Sequence, residues 1–154
     1  MPDLRAHGLA ISLPPGWEGA IVRRRANPGE ATRPVTHLAT FPLPPARGDF
    51  GAGAVEGMGS GDVFVALFEY GPESVGTPLF SEHGMPIPLR PDDFHPTQLQ
   101  RRLPGQAGVQ RFFTLAGRAF SLYVVLGSHR RRHATVPVVN AVLARLVVDR
   151  VGNR

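Results

Sequence analysis

The sequence predicts an α+β fold, an antiparallel β-sheet of about five to six strands with a C-terminal helix packed on one face. Three observations predict it. The candidate strands follow one another through Pro- and Gly-bearing turns and loops, not helical crossovers, which argues against a doubly wound parallel sheet. Two runs, residues 63–70 and 119–126, are apolar at successive positions, as inner strands covered on both faces must be. Near the C-terminus Val136, Val139, Asn140, Leu143, Leu146 and Val147 recur at helical spacing. The 154 residues read as one domain, 1–154, long enough to bury a core without covalent staples.

Taken in order, residues 8–13 alternate Leu9, Ile11 and Leu13 against smaller side chains and read as a half-buried strand. Pro14-Pro15-Gly16 is a turn, and residues 17–25 return as a second strand. The lone Trp17 is expected to be largely buried and to pin this hairpin to the sheet. Residues 26–34 are polar and read as a loop. Residues 36–43 form a third strand, and Pro42, Pro44 and Pro45 argue for an edge position. The glycines at 51, 53, 57, 59 and 61 make residues 49–61 a long flexible loop, with a helical turn near 54–56.

After the central strand at 63–70, the proline-rich stretch 71–91 crosses the surface as a loop. A short helix is expected at 97–103, stopped by Pro104-Gly105. Residues 109–115 and 119–126 make a hairpin through Ala116-Gly117-Arg118. Residues 127–134 read as a basic linker. Thr135 is then the N-cap of a helix over about 136–146, with Pro137 in its first turn.

Composition narrows the chemistry. There is no cysteine, which removes disulfides, thiolate metal sites and a Cys nucleophile. All 17 basic residues are Arg, so no lysine is present to form a Schiff base or fill a phosphate loop. The net charge of +5 suits an acidic partner. No stretch is long and apolar enough to span a membrane and the first residues lack a signal-peptide pattern, so the expected location is the cytoplasm.

The opening Gly8-Leu9-Ala10-Ile11-Ser12-Leu13-Pro14-Pro15-Gly16-Trp17 resembles the start of PsbP-like domains, the PsbP/Mog-type fold, in which an apolar strand runs into a Leu-Pro-x-Gly-Trp turn. The rest of the chain is compatible with that family by element order only. The resemblance implies an antiparallel sheet flanked by helices. It also implies a binding role rather than catalysis, since the family includes an extrinsic photosystem subunit, a Ran-binding protein, lipoproteins and chaperones of secreted effectors. No residue of those roles carries over.

Four constellations invite a chemical reading. The glycines of 51–61 lack the spacing and the following helix of a dinucleotide fingerprint. His129 and His133 stand four apart, but Arg130, Arg131 and Arg132 between them disfavour a cation, and no metal site is expected. Asp92, Asp93 and His95 carry the groups of general acid/base chemistry, although Asp before a short helix is commonly a cap. Arg101-Arg102 and Arg130-Arg131-Arg132 form the candidate binding surface. In Arg23-Arg24-Arg25, strand alternation would split the three between two faces. Serines stand in no nucleophile-elbow or triad spacing, so no catalytic residue and no cofactor is assigned.

The expected function is therefore a non-catalytic protein-binding or adaptor domain, in one form chaperone-like, with a protein, and an acidic one, as partner. Two alternatives stay open: a small hydrolase or lyase using Asp92, Asp93 and His95, and an Arg-mediated binder of nucleic acid or an anionic surface. Nucleic acid is the less favoured ligand because the aromatics lie in apolar surroundings.

Overall fold

The computed structural model describes residues 3–23, 28 and 31–150. Among them the chain forms strands β1 (Asp3–Ala6), β2 (Leu9–Ser12), β3 (Glu18–Arg23), β4 (Pro34–Ala39), β5 (Val63–Glu69), β6 (Ala107–Leu115) and β7 (Arg118–Leu126), then helix α1 (Arg132–Leu143) and strand β8 (Val147–Val148). All strand pairings are antiparallel. Five strands form one sheet in the order β3-β4-β5-β7-β6, and β1-β2-β8 form a second, smaller one. The predicted α+β class holds. The strand count exceeds the expectation because the two ends of the chain build a sheet of their own: β1 is short and half exposed, and β8 has two residues.

The two-faced apolarity of β5 and β7 has a direct cause. Both are inner strands, and the large sheet is covered on both sides. On one face Val65, Leu67, Leu122 and Val124 share a core with Leu9 and Ile11 of the small sheet and with Val136, Val139, Val142 and Leu143 of α1. On the other face Phe64, Ala66, Tyr123 and Val125 lie under Ala54, Val55, Phe50 and Met58. The glycine-rich segment read as a flexible loop is thus the lid of the second core; a 3-10 turn spans Val55–Gly57.

Several expectations are corrected. The third strand is not an edge: β4 lies between β3 and β5 and all six of its residues are buried. Its prolines are harmless because Pro34 opens the strand and Pro42 lies beyond its end. No helix forms over 97–103; the turn there hangs on the backbone pair between His95 and Gly108 and on the bond from the Gln100 N–H to the Tyr123 hydroxyl. The basic linker does not exist as such. His129–Arg131 is a 3-10 turn that runs into α1, which starts at Arg132 with Pro137 inside it. Thr135 is not a cap; its hydroxyl donates back to the Arg131 carbonyl at 3.2 Å. Arginine is a good helix former, and here its run becomes the first turns. The helix stops at Leu143, short of Leu146 and Val147, and Val147 and Val148 pair with β2 instead. Trp17 packs against the main core as expected, but there is no hairpin for it to pin: β2 pairs with β1 and β8, and β3 pairs with β4 in the other sheet. The expectations for Arg24, Arg25 and part of the 26–34 loop lie outside the described residues.

Two tight turns share one geometry. His7-Gly8 and Ala116-Gly117 each have two successive positive φ angles, the two-residue turn whose twist suits a hairpin. Ala116 at φ 56° pays the left-handed penalty of a residue with a Cβ. Ala116→Asn is expected to raise stability by about 1 kcal/mol. A urea midpoint that does not move upward would contradict this.

Candidate functional site

The β6–β7 register makes Ala107 and Leu126 cross-strand partners. The residues just before 107 and just after 126 must therefore lie side by side, although they are distant along the chain. The His129 N–H donates to the Gly105 carbonyl at 2.7 Å and closes this contact. Val63 at the start of β5 also pairs with Leu126, which brings residues 57–62 to the same end of the sheet. Arg130 and Arg131 are exposed beyond Leu126, with Arg131 reaching the loop at Ser60, and Arg101 and Arg102 are exposed ahead of Gly105, with Arg101 reaching the same loop at Glu56.

The carboxylates at this end are already engaged. Glu56 pairs with Arg101 at 2.9 Å. Asp62 accepts from the Thr40 hydroxyl at 2.9 Å and from the Gly59 N–H at 2.8 Å. Arg131 donates to the Ser60 hydroxyl at 3.4 Å, a long and weak contact. Arg102 and Arg130 have no hydrogen bond or ion pair among the described residues. Arg132 differs from its neighbours: it is half-buried and donates to the His129 carbonyl at 3.0 Å.

Asp92, Asp93 and His95 are placed differently. They lie along the outer edge of β6, where His95 exchanges backbone hydrogen bonds with Gly108 at 3.0 Å. Asp93 accepts the Arg90 N–H at 2.8 Å in a capping box and pairs with Arg111 at 3.3 Å. Asp92 and His95 are exposed. No group of three or more metal-ligating side chains occurs among the described residues. Nor is any described helix long and apolar enough to cross a membrane.

A second arrangement escaped the sequence reading. At the opposite end of the sheet, where β4 begins and β5 ends, an open groove of about 410 Å³ is lined by Arg23, Arg33 and Arg47 over Phe68 and Tyr70. Its most constrained member rests on a buried histidine. His37 Nδ1 accepts from Arg47 Nε at 2.7 Å, and its Nε2 donates to the Asp49 carbonyl at 2.8 Å. An imidazole that accepts at Nδ1 and donates at Nε2 is neutral. Burial is the main reason that its pKa falls below the usual 6.5, with the Arg47 charge adding to the fall and the bond to Asp49 opposing it.

A depressed pKa in the folded state means that unfolding takes up a proton between that pKa and 6.5. The stability that neutral His37 contributes is complete above pH 6.5 and is lost as the pH falls below it. The slope reaches at most about 1.4 kcal/mol per pH unit. Urea titrations of wild type and His37→Gln from pH 7.5 down to 5 are expected to show a shallower decline in the variant; parallel curves would remove His37 as the cause.

Comparison with known proteins finds no match: no protein-family model, no curated protein and no solved structure matches this chain.

Proposed function

We propose that this chain is a non-catalytic binding domain whose basic end engages an acidic segment of a partner protein. The observation that supports the reading is the exposure of Arg101, Arg102, Arg130 and Arg131, with Arg101 reaching Glu56 and Arg131 reaching Ser60 of one loop. Four exposed guanidiniums with their local carboxylates engaged make a field that attracts an acidic surface and steers its approach. Arg132, turned inward, supports the turn rather than the contact. The likeness of the Leu13-Pro14-Pro15-Gly16-Trp17 turn to PsbP-like domains favours a binding role on fold analogy, and a chaperone-like form of it is compatible with that kinship. The engagement of Asp93 with Arg90 and Arg111 weighs against the hydrolase alternative.

The test is capture from nuclease-treated lysate of the native host, comparing wild type with Arg102→Glu/Arg130→Glu/Arg131→Glu. The expected result is a protein with an acidic segment, retained by wild type, released by salt and lost with the variant. Equal capture by both forms overturns the reading. Retention found only in a parallel lysate left without nuclease replaces it with nucleic-acid binding.

A further inference from the structure

The groove at the other end of the sheet is built differently from the basic end, and Arg47 shows how. A half-buried guanidinium is normally neutralised by a carboxylate, because an unpaired charge is costly to remove from water. Arg47 is instead held by two neutral acceptors, His37 Nδ1 at 2.7 Å and the Pro44 carbonyl at 2.8 Å. These anchors fix Nε and Nη1 and leave its charge unmatched. Arg23 is likewise held by a neutral group, its Nε donating to the Thr32 hydroxyl at 3.2 Å. Arg33 lines the same groove and has no ion pair among the described residues.

The acidic side of the ledger is short. Asp49 is exposed at the groove wall, and Glu69, the other lining carboxylate, is turned into the buried pair with Arg118. Among the described residues, three guanidiniums thus face one available carboxylate. Beneath them lies an aromatic surface: half-buried Phe68 stacks on Phe50 at 5.8 Å and packs against Tyr70 at 4.9 Å. A smaller cavity of about 210 Å³ adjoins, sharing Arg33 and Tyr70. The combined space suits a small molecule.

We infer that this groove binds a small organic anion, a phosphate or carboxylate carried on a planar ring, with the anionic group among Arg23, Arg33 and Arg47 and the ring against Phe68 and Tyr70. Arg47, immobilised before the ligand arrives, supplies a preorganised charge-assisted donor, and Arg33 and Arg23 close on the anion from the rim. The aromatic floor adds affinity for a ring that inorganic phosphate lacks. The groove is lined by none of Arg101, Arg102, Arg130 and Arg131, and the inference does not depend on the function proposed for them.

The test uses phenyl phosphate, benzoate, inorganic phosphate and uncharged benzamide as probes, each titrated into the whole chain and followed by amide chemical shifts. Phenyl phosphate or benzoate is expected to bind more tightly than inorganic phosphate, and benzamide not to bind; whichever of the first two is tighter identifies the anionic group. Shifts should concentrate at Thr32, Val35, Phe68 and Tyr70. Arg33→Gln, at the rim and outside the His37 network, should weaken binding by about tenfold, the loss of one hydrogen bond to a charged group. Arg102→Glu should leave it unchanged. Absence of binding by any anion, shifts centred on residues 101–102 and 130–131, or an Arg33→Gln affinity equal to wild type would each overturn the inference.

Discussion

Arg118→Met is expected to lower the free energy of unfolding by about 3–5 kcal/mol, because it takes the guanidinium away from a buried carboxylate and from three carbonyls. The Arg118 side chain is 0% exposed and that of Glu69 is 4%. Its Nε and Nη2 meet the two Glu69 oxygens at 3.0 and 2.6 Å. Nη2 also donates to the His7 carbonyl at 2.9 Å, and Nη1 to the carbonyls of Gly8 and Asp149 at 3.2 and 3.3 Å. All five guanidinium hydrogens therefore have an acceptor. Three of those acceptors belong to the small sheet, in the β1–β2 turn and just after β8. This one side chain ties the two ends of the chain to the first residue of β7.

The prediction has internal controls. Glu69→Gln should cost less than Arg118→Met, because a neutral amide still accepts one hydrogen bond and the cation keeps its three carbonyls. Arg118→Lys should not rescue, since an ammonium has three donors for five acceptors. The double variant Arg118→Met/Glu69→Met removes the buried carboxylate as well but leaves the three carbonyls without their donor, so it should recover part of the loss and not all. Urea midpoints report the total. Amide exchange separates the parts: β2 should exchange faster in Arg118→Met, and β5 and β7 should follow the global change. A double variant as stable as wild type would show that the carbonyl contacts contribute little.

How far the sequence foretold this depends on whether each feature is written in a local pattern. The inner position of β5 and β7 was legible because burial on two faces leaves continuous apolarity. The stripe at Val136, Val139 and Leu143 was legible because helical spacing is local. The start of α1 was not, because Pro137 invites a reading as first-turn proline, whereas here it sits inside the helix. The place of β4 was misjudged because prolines near a strand look the same whether they fall inside its ladder or just outside it. That Arg101 and Arg131 reach the same loop, at Glu56 and Ser60, could not be seen in the sequence, although the runs themselves could. The groove was least legible. Arg23, Arg33 and Arg47 come from three separate segments, and the one local hint, a histidine in an apolar strand, marks a partner for Arg47 only when Arg47 is known to return to it.

Gly127→Ala is expected to cost about 3 kcal/mol, at the upper end for an added methyl group, because what stands in its way is backbone. A Cβ on Gly127 would overlap the Gly59 carbonyl oxygen and lie 2.9 Å from its carbon, with the Asp62 carbonyl at 3.4 Å. Neither neighbour is the end of a side chain that could swing aside. Gly127 also donates its N–H to the Asp62 carbonyl at 2.9 Å, and Asp62 in turn accepts the Gly59 N–H, so relieving the overlap pulls on a connected set of bonds. Gly57→Ala is the matching control, for nothing lies within 4 Å of the Cβ it would acquire, and its midpoint should stay within about 0.5 kcal/mol of wild type. The consequence for function is specific. Gly59 and Ser60 lie between Gly127 and the Arg131 guanidinium, so the variant should disturb amide shifts over residues 57–62 and 127–131 and weaken capture of the acidic partner. The arginine groove at the far end of the sheet should keep its affinity for phenyl phosphate. A Gly127→Ala protein as stable as wild type would mean that the chain passes Gly59 at a greater distance than the close approach seen here, and the placing of the 57–62 loop against residues 127–131 would lose its structural basis.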